Sequence, residues 1–111
     1  MKAIDEIAYE RRRQKSKERF SQKHDDDHYR GELARAASCY AVASFLTPSQ
    51  TGIIHPPSVR SNGSLWWPWD WKWWKPRSHR ENLIRAAALI VAEIERLDRA
   101  DRRARAGRKG A

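Results

Sequence analysis

All six tryptophans of the chain fall between Trp66 and Trp74, within the stretch Leu-Trp-Trp-Pro-Trp-Asp-Trp-Lys-Trp-Trp-Lys-Pro that runs from Leu65 to Pro76. A single Trp side chain can bury about 150–250 Å², and its ring pairs with other rings, bases or cations. So dense a block is therefore either most of a small core or most of a binding surface. A chain of 111 residues is one domain, large enough to bury a modest core without disulfides or a structural metal. Cys39 is the one cysteine, which excludes an internal disulfide. Its place in an apolar run predicts a buried thiol.

The chain carries a net charge of +9, concentrated in two segments. One holds Arg11, Arg12, Arg13, Lys15, Lys17, Arg19 and Lys23 against Glu18. The other holds Arg99, Arg102, Arg103, Arg105, Arg108 and Lys109 against Asp101. Such a balance points to anionic partners: nucleic acid, nucleotides or an acidic protein surface. No apolar run reaches the length that spans a bilayer, and no hydrophobic leader is evident. The expectation is a soluble protein of the cytoplasm, with no membrane partner.

The periodicity predicts an all-α fold: one domain over residues 1–111, with three main helices and a Trp-rich loop or short helix packed on them, completed by dimerisation. A first helix is expected over Lys2–Phe20, with Ile4, Ile7 and Ala8 on its buried face and a polar second half projecting into solvent. Ser21–Asp27 reads as a polar connection whose aspartates cap a second helix, expected over residues 28–46. Leu33, Ala36, Ala37, Tyr40, Ala41 and Phe45 would be buried in it, and its alanines would allow close approach to Ala86-Ala87-Ala88. Residues 49–64 have loop composition, and with the tryptophan block they form an irregular segment over 49–77. A short helix with Pro68 at its first position is preferred there. Ser78-His79-Arg80-Glu81 is a capping box. It starts a third helix over 78–104, with Leu83, Ala87, Ile90, Ile94 and Leu97 as core stripe and with i, i+4 pairs Glu95–Arg99 and Asp98–Arg102. The basic tail 105–111 is expected to fray.

Three constellations could carry chemistry. His24-Asp25-Asp26-Asp27-His28, followed by Glu32, has the donor types for a divalent cation, or is simply an acidic helix cap. If the second and third helices pack antiparallel, Glu32 approaches Glu95 and Asp98. Three carboxylates meeting without a lysine between them need a cation, unless Glu95 and Asp98 simply pair with Arg99 and Arg102 on a solvated face. The tryptophan block, with Lys72, Lys75 and Arg77, interleaves rings and cations as a base and its phosphate require. Six rings exceed the needs of one ligand. Trp67, Trp69 and Trp73 are therefore expected in the core, and Trp66, Trp71 and Trp74, with Lys72, Lys75 and Arg77, at a ligand.

The segments Glu10–Gln14, His24–His28, Gly31–Ala37, Trp67–Trp71 through Lys75-Pro76, Ala86–Ile90 and Glu95–Asp98 together resemble a family of small phage and prophage proteins. The likeness covers roughly residues 6–99 and implies provenance, in a host-cell cytoplasm, rather than mechanism. Gly31-Glu32-Leu33 with Glu95-Arg96-Leu97-Asp98 is also similar to the MazG-like all-α nucleoside triphosphate pyrophosphohydrolases, although His28 and Tyr29 stand where that family has a pair of glutamates. That resemblance implies Mg²⁺ held by Glu32, Glu95 and Asp98, which are also the catalytic set, and the donor types of the first constellation add Asp27 and His28 as candidate metal ligands. The rival expectation is a non-catalytic binder or inhibitor of a host protein, nucleic acid or nucleotide signal.

Overall fold

The computed structural model describes residues 2–18, 21–46 and 67–110, with only the backbone of Trp71, Lys109 and Gly110. The expectations for Phe20, for the loop 49–64 and for Trp66 lie outside the described residues, and so does the Trp71 side chain. The fold is all-α. Helix α1 spans Ala3–Ser16, α2 Gln22–Asp27, α3 Glu32–Ala43 and α4 His79–Gly110. A single 3-10 turn covers Trp71–Trp73.

Helix α4 is the spine, and α1, α2 and α3 all pack on it. Its start follows the capping box: the Glu81 amide donates to the Ser78 hydroxyl at 3.1 Å, and that hydroxyl donates to the Glu81 carboxylate at 3.2 Å. Asn82, fully buried, fastens this end. Its carboxamide oxygen accepts from the Arg77 amide at 2.7 Å, and its nitrogen donates to the carbonyls of Arg77 at 3.1 Å and Ala43 at 3.3 Å. The last bond joins the end of α3 to the beginning of α4, so the two helices run antiparallel, with their alanines in close approach.

Between them lies a core of Leu33, Ala36, Ala37, Cys39, Tyr40, Ala43, Trp67, Trp74, Ala86, Leu89 and Ala92. Small residues on both helices allow close backbone approach, and the two buried indoles fill the space beside Tyr40. The Tyr40 ring lies 5.6 Å from Trp67, edge-on, and 4.8 Å from Trp74. The Trp67 indole N–H donates to the Asp70 carbonyl at 3.0 Å, which closes the block onto its own turn. Asp70 in turn accepts the Lys72 amide at 2.9 Å, an Asx-type contact that starts the 3-10 turn where a longer helix was expected.

Several local expectations are corrected. Asp25, Asp26 and Asp27 do not cap the second main helix. They lie inside α2, which Ser21 caps by accepting the His24 amide at 3.2 Å. Gly31, at φ 86°, then turns the chain into α3, a backbone angle that glycine adopts without a Cβ clash. Phe45 is 70% exposed rather than buried. Helix α4 continues to Gly110 instead of fraying after Ala104.

The largest correction concerns which faces are inside. Leu83, Ile90, Ile94 and Leu97 are each about half exposed, and Ile4 is 75% exposed. The buried face of α4 is instead Asn82, Arg85, Ala86, Leu89, Ala92 and Arg96, and that of α1 is Glu10, Arg11 and Gln14. Two amphipathic helices thus turn their aliphatic stripes outward and their small or charged faces inward. Among the described residues no helix is long and apolar enough to cross a membrane.

Candidate functional site

The tryptophan block divides, though not along the expected line. Trp67 and Trp74 are buried in the ring cluster with Tyr40, so Trp74 offers no open face to a ligand. Trp69 is half buried, edge-on to Trp67 at 5.3 Å and against the His28 ring at 5.3 Å. Trp73, expected in the core, is the ring that reaches solvent, at 38% exposure. Lys72 and Lys75 stand over it, their ammonium nitrogens 5.5 and 5.3 Å from the ring centroid. The Lys75 ammonium also meets Glu18 at 3.5 Å. Arg77 is exposed next to the start of α4, anchored through its backbone to Asn82.

The predicted carboxylate site does not assemble. Glu32 accepts the Arg30 amide at 2.7 Å and closes the turn before its own helix. Glu95 takes the Arg11 guanidinium at 3.2 Å, and Asp98 is exposed. Asp27 pairs with Lys23 at 3.2 Å on the surface. His28 donates from Nδ1 to the His24 carbonyl at 2.6 Å, and its ring lies 4.3 Å from the His24 ring, inside an aromatic cluster. Among the described residues no three His, Cys, Asp or Glu side chains come together to hold a metal ion.

Of the predicted donors, Glu95 is met by Arg11 and Asp27 by Lys23, and arginines also neutralise two neighbouring carboxylates, Glu93 and Asp26. Arg96 reaches Glu93 at 2.6 Å. That hydrogen bond holds its guanidinium pKa above the ordinary value against the opposing effect of burial, with the charges of Glu93, Asp26 and Glu32 adding to it. Asp26 is clasped by Arg99 at 2.9 Å and Arg103 at 2.8 Å. Partial loss of hydration would raise the Asp26 pKa, yet the two guanidinium groups outweigh it and leave the carboxyl below the usual range. The expected Glu95–Arg99 pair is not formed, because Arg11 takes Glu95 and Asp26 takes Arg99; Asp98 and Arg102 are both exposed and are not paired with each other. The predicted donors are thus spread over separate contacts rather than gathered around one point.

What sequence reasoning missed is the buried pair Arg11–Asp25, at 2.6 Å. Asp25 is fully buried, and its second oxygen lies 3.0 Å from His24 Nδ1. The signal was Arg11 falling one helical turn after Ile7 and Ala8, but nothing local distinguishes it from Arg12 and Arg13.

The remaining cationic feature is the far end of α4. At 1.5 Å per residue a 32-residue helix is about 48 Å long. Residues 101–108 are all exposed. Arg103 and Arg105 lean on Asp26 and Asp101, while Arg102 and Arg108 have no carboxylate within ion-pair distance among the described residues. Compared with protein-family profiles, with curated proteins and with solved structures, the chain shows no match.

Proposed function

We propose that this is a non-catalytic binding protein whose partner is nucleic acid, held by its phosphates against the cationic end of α4. The observation that carries the reading is the exposed helical run 101–108, with Arg102, Arg105 and Arg108 on a rod that no other described element covers. Arginine forks suit phosphate oxygens, and a helix that is polar all round gains nothing from packing on its own core. The separation of Glu32, Glu95 and Asp98 into different contacts favours this reading over metal-dependent pyrophosphohydrolysis, and the resemblance to phage-type proteins is compatible with it.

The test is fluorescence anisotropy of labelled duplex and single-stranded DNA with the protein and with the triple variant R102Q/R105Q/R108Q. The reading expects binding to both probes and a loss of about tenfold or more in the variant at low salt. Equal affinity of the two proteins would remove it. One observation favours a second reading, a nucleotide site at the half-open Trp73 ring between Lys72 and Lys75. There, quenching of indole emission by nucleotides that is lost in Trp73→Leu, with the arginines intact, would mark the block as the site.

A further inference from the structure

We propose that the outward aliphatic face of α4 and α1 is an interface for a second copy of this chain, packed antiparallel about a two-fold axis that passes near the middle of the stripe. Leu83, Ala87, Ile90, Ile94 and Leu97 recur at alternating spacings of four and three, which is the seam pattern of paired helices. All but the small Ala87 rank among the exposed large hydrophobics, together with Ile4.

Beside the middle of the stripe lies a groove of about 560 Å³ between the two helices, with Ile4, Ile7 and Ala8 on one side and Ala87, Ile90 and Val91 on the other, closed at one end by Arg11, Arg12 and Glu95. Toward the C-terminal end of the stripe Leu97 stands half exposed, ten residues or about 15 Å along the helix from Ala87. A two-fold axis places each copy's Leu97 over the other's Ala87, large against small, and Ile90 against Ile94. Large and small positions on one face are what an isologous contact needs. The five exposed aliphatic side chains present on the order of 500 Å² per copy, so that pairing buries about the 1,000 Å² at which specific interfaces begin.

Charge selects the orientation. A parallel pair would stack Asp101 on Asp101 and bring Glu93 toward the partner's Asp98, like charges in both places. The antiparallel pair removes both clashes: each Asp101, held by its own Arg105, then lies at the edge of the contact beside the partner's Leu83.

Sedimentation equilibrium of the full chain across a concentration series tests the proposal. The expected result is a monomer–dimer equilibrium shifted at least tenfold toward monomer by Ile94→Glu, and likewise by Ile4→Glu should the first variant lose its helical circular dichroism. For orientation, Ala87→Cys and Leu97→Cys proteins are oxidised separately and mixed. Disulfide dimers form in the mixture and not from either alone, since Cys39 is buried. A chain that stays monomeric at all concentrations overturns the proposal, as does a dimer indifferent to both substitutions. Self-crosslinking of Leu97→Cys overturns the antiparallel arrangement.

Discussion

The Arg11 guanidinium lies 2.6 Å from the Asp25 carboxylate, with the two side chains 6% and 0% exposed, and reaches on to Glu95 at 3.2 Å. This pair ties α1 to α2 and, through Glu95, to α4. Removing one partner leaves a buried charge uncompensated, whereas exchanging both for apolar groups of similar size can be neutral. Asp25→Ala is expected to cost about 3–5 kcal/mol, and R11M/D25L to regain most of that. Urea denaturation followed by circular dichroism measures both, and a double variant no better than Asp25→Ala would contradict the account.

The ring cluster makes a contrasting pair of predictions. Trp67 packs on Tyr40, Trp69 and Trp74, so Trp67→Ala is expected to destabilise by about 3–5 kcal/mol. Trp73→Ala removes a ring that reaches solvent, and a loss under about 1.5 kcal/mol is expected. Thermal melts of the two variants should therefore separate widely, and similar melting points would mean that the block is not divided as described.

Asn82 makes three hydrogen bonds from a fully buried side chain. In Asn82→Leu the Arg77 amide and the carbonyls of Ala43 and Arg77 lose their partner, a cost of about 2 kcal/mol or more. Hydrogen exchange should quicken at the Arg77 amide before it does at Leu89. Uniform acceleration along α4 would argue against a local role.

Burial pushes the Cys39 thiol up to about 12, despite the opposing charge of Arg35. An unfolded thiol ionises near 8.5, so the folded chain holds its proton where the unfolded chain releases it. Stability should fall as the pH rises from about 8.5 toward 12. At pH 8 an alkylating reagent should modify Cys39 only through unfolding, at a rate that rises with denaturant. Rapid stoichiometric labelling of the native protein would contradict the burial.

Asp26 gives the acid counterpart. Its carboxyl loses some hydration, but the guanidinium groups of Arg99 and Arg103 hold its pKa below the ordinary value. A depressed folded pKa contributes stability above the unfolded value of about 3.9, and that contribution is lost as the pH falls through the folded value. Asp26→Asn should therefore flatten the acid limb of the stability profile below about pH 4 and leave its alkaline limb unchanged. An acid limb like that of the parent chain would show that this clasp contributes nothing.

The helical class, the close approach of the alanine-rich α3 and α4 and the capping box at Ser78 were legible because each rests on local spacing. The direction of the faces was not. Helix α4 carries two stripes, the bulky Leu83–Ile90–Ile94–Leu97 and the small Ala86–Leu89–Ala92, and bulk alone favours the first as core. The second is buried because Ala36, Ala37 and Ala43 on α3 allow close approach and the rings of Trp67 and Trp74 supply the missing volume. Nor could sequence spacing show that Arg11 would take Glu95 and Asp25, or that Arg99 would take Asp26. Those partners come from distant parts of the chain, and only the packing of α1 and α2 on α4 brings them together.

The central claim, that the cationic end of α4 is there to hold phosphates, is tested most directly by the salt dependence of DNA binding. Plotting log affinity against log salt for the parent chain and for R102Q/R105Q/R108Q gives two slopes. The account predicts a steep negative slope for the parent, made shallower by about two to three in the variant, since each phosphate contact contributes about 0.9. Two identical slopes, or no measurable binding at low salt, would contradict it.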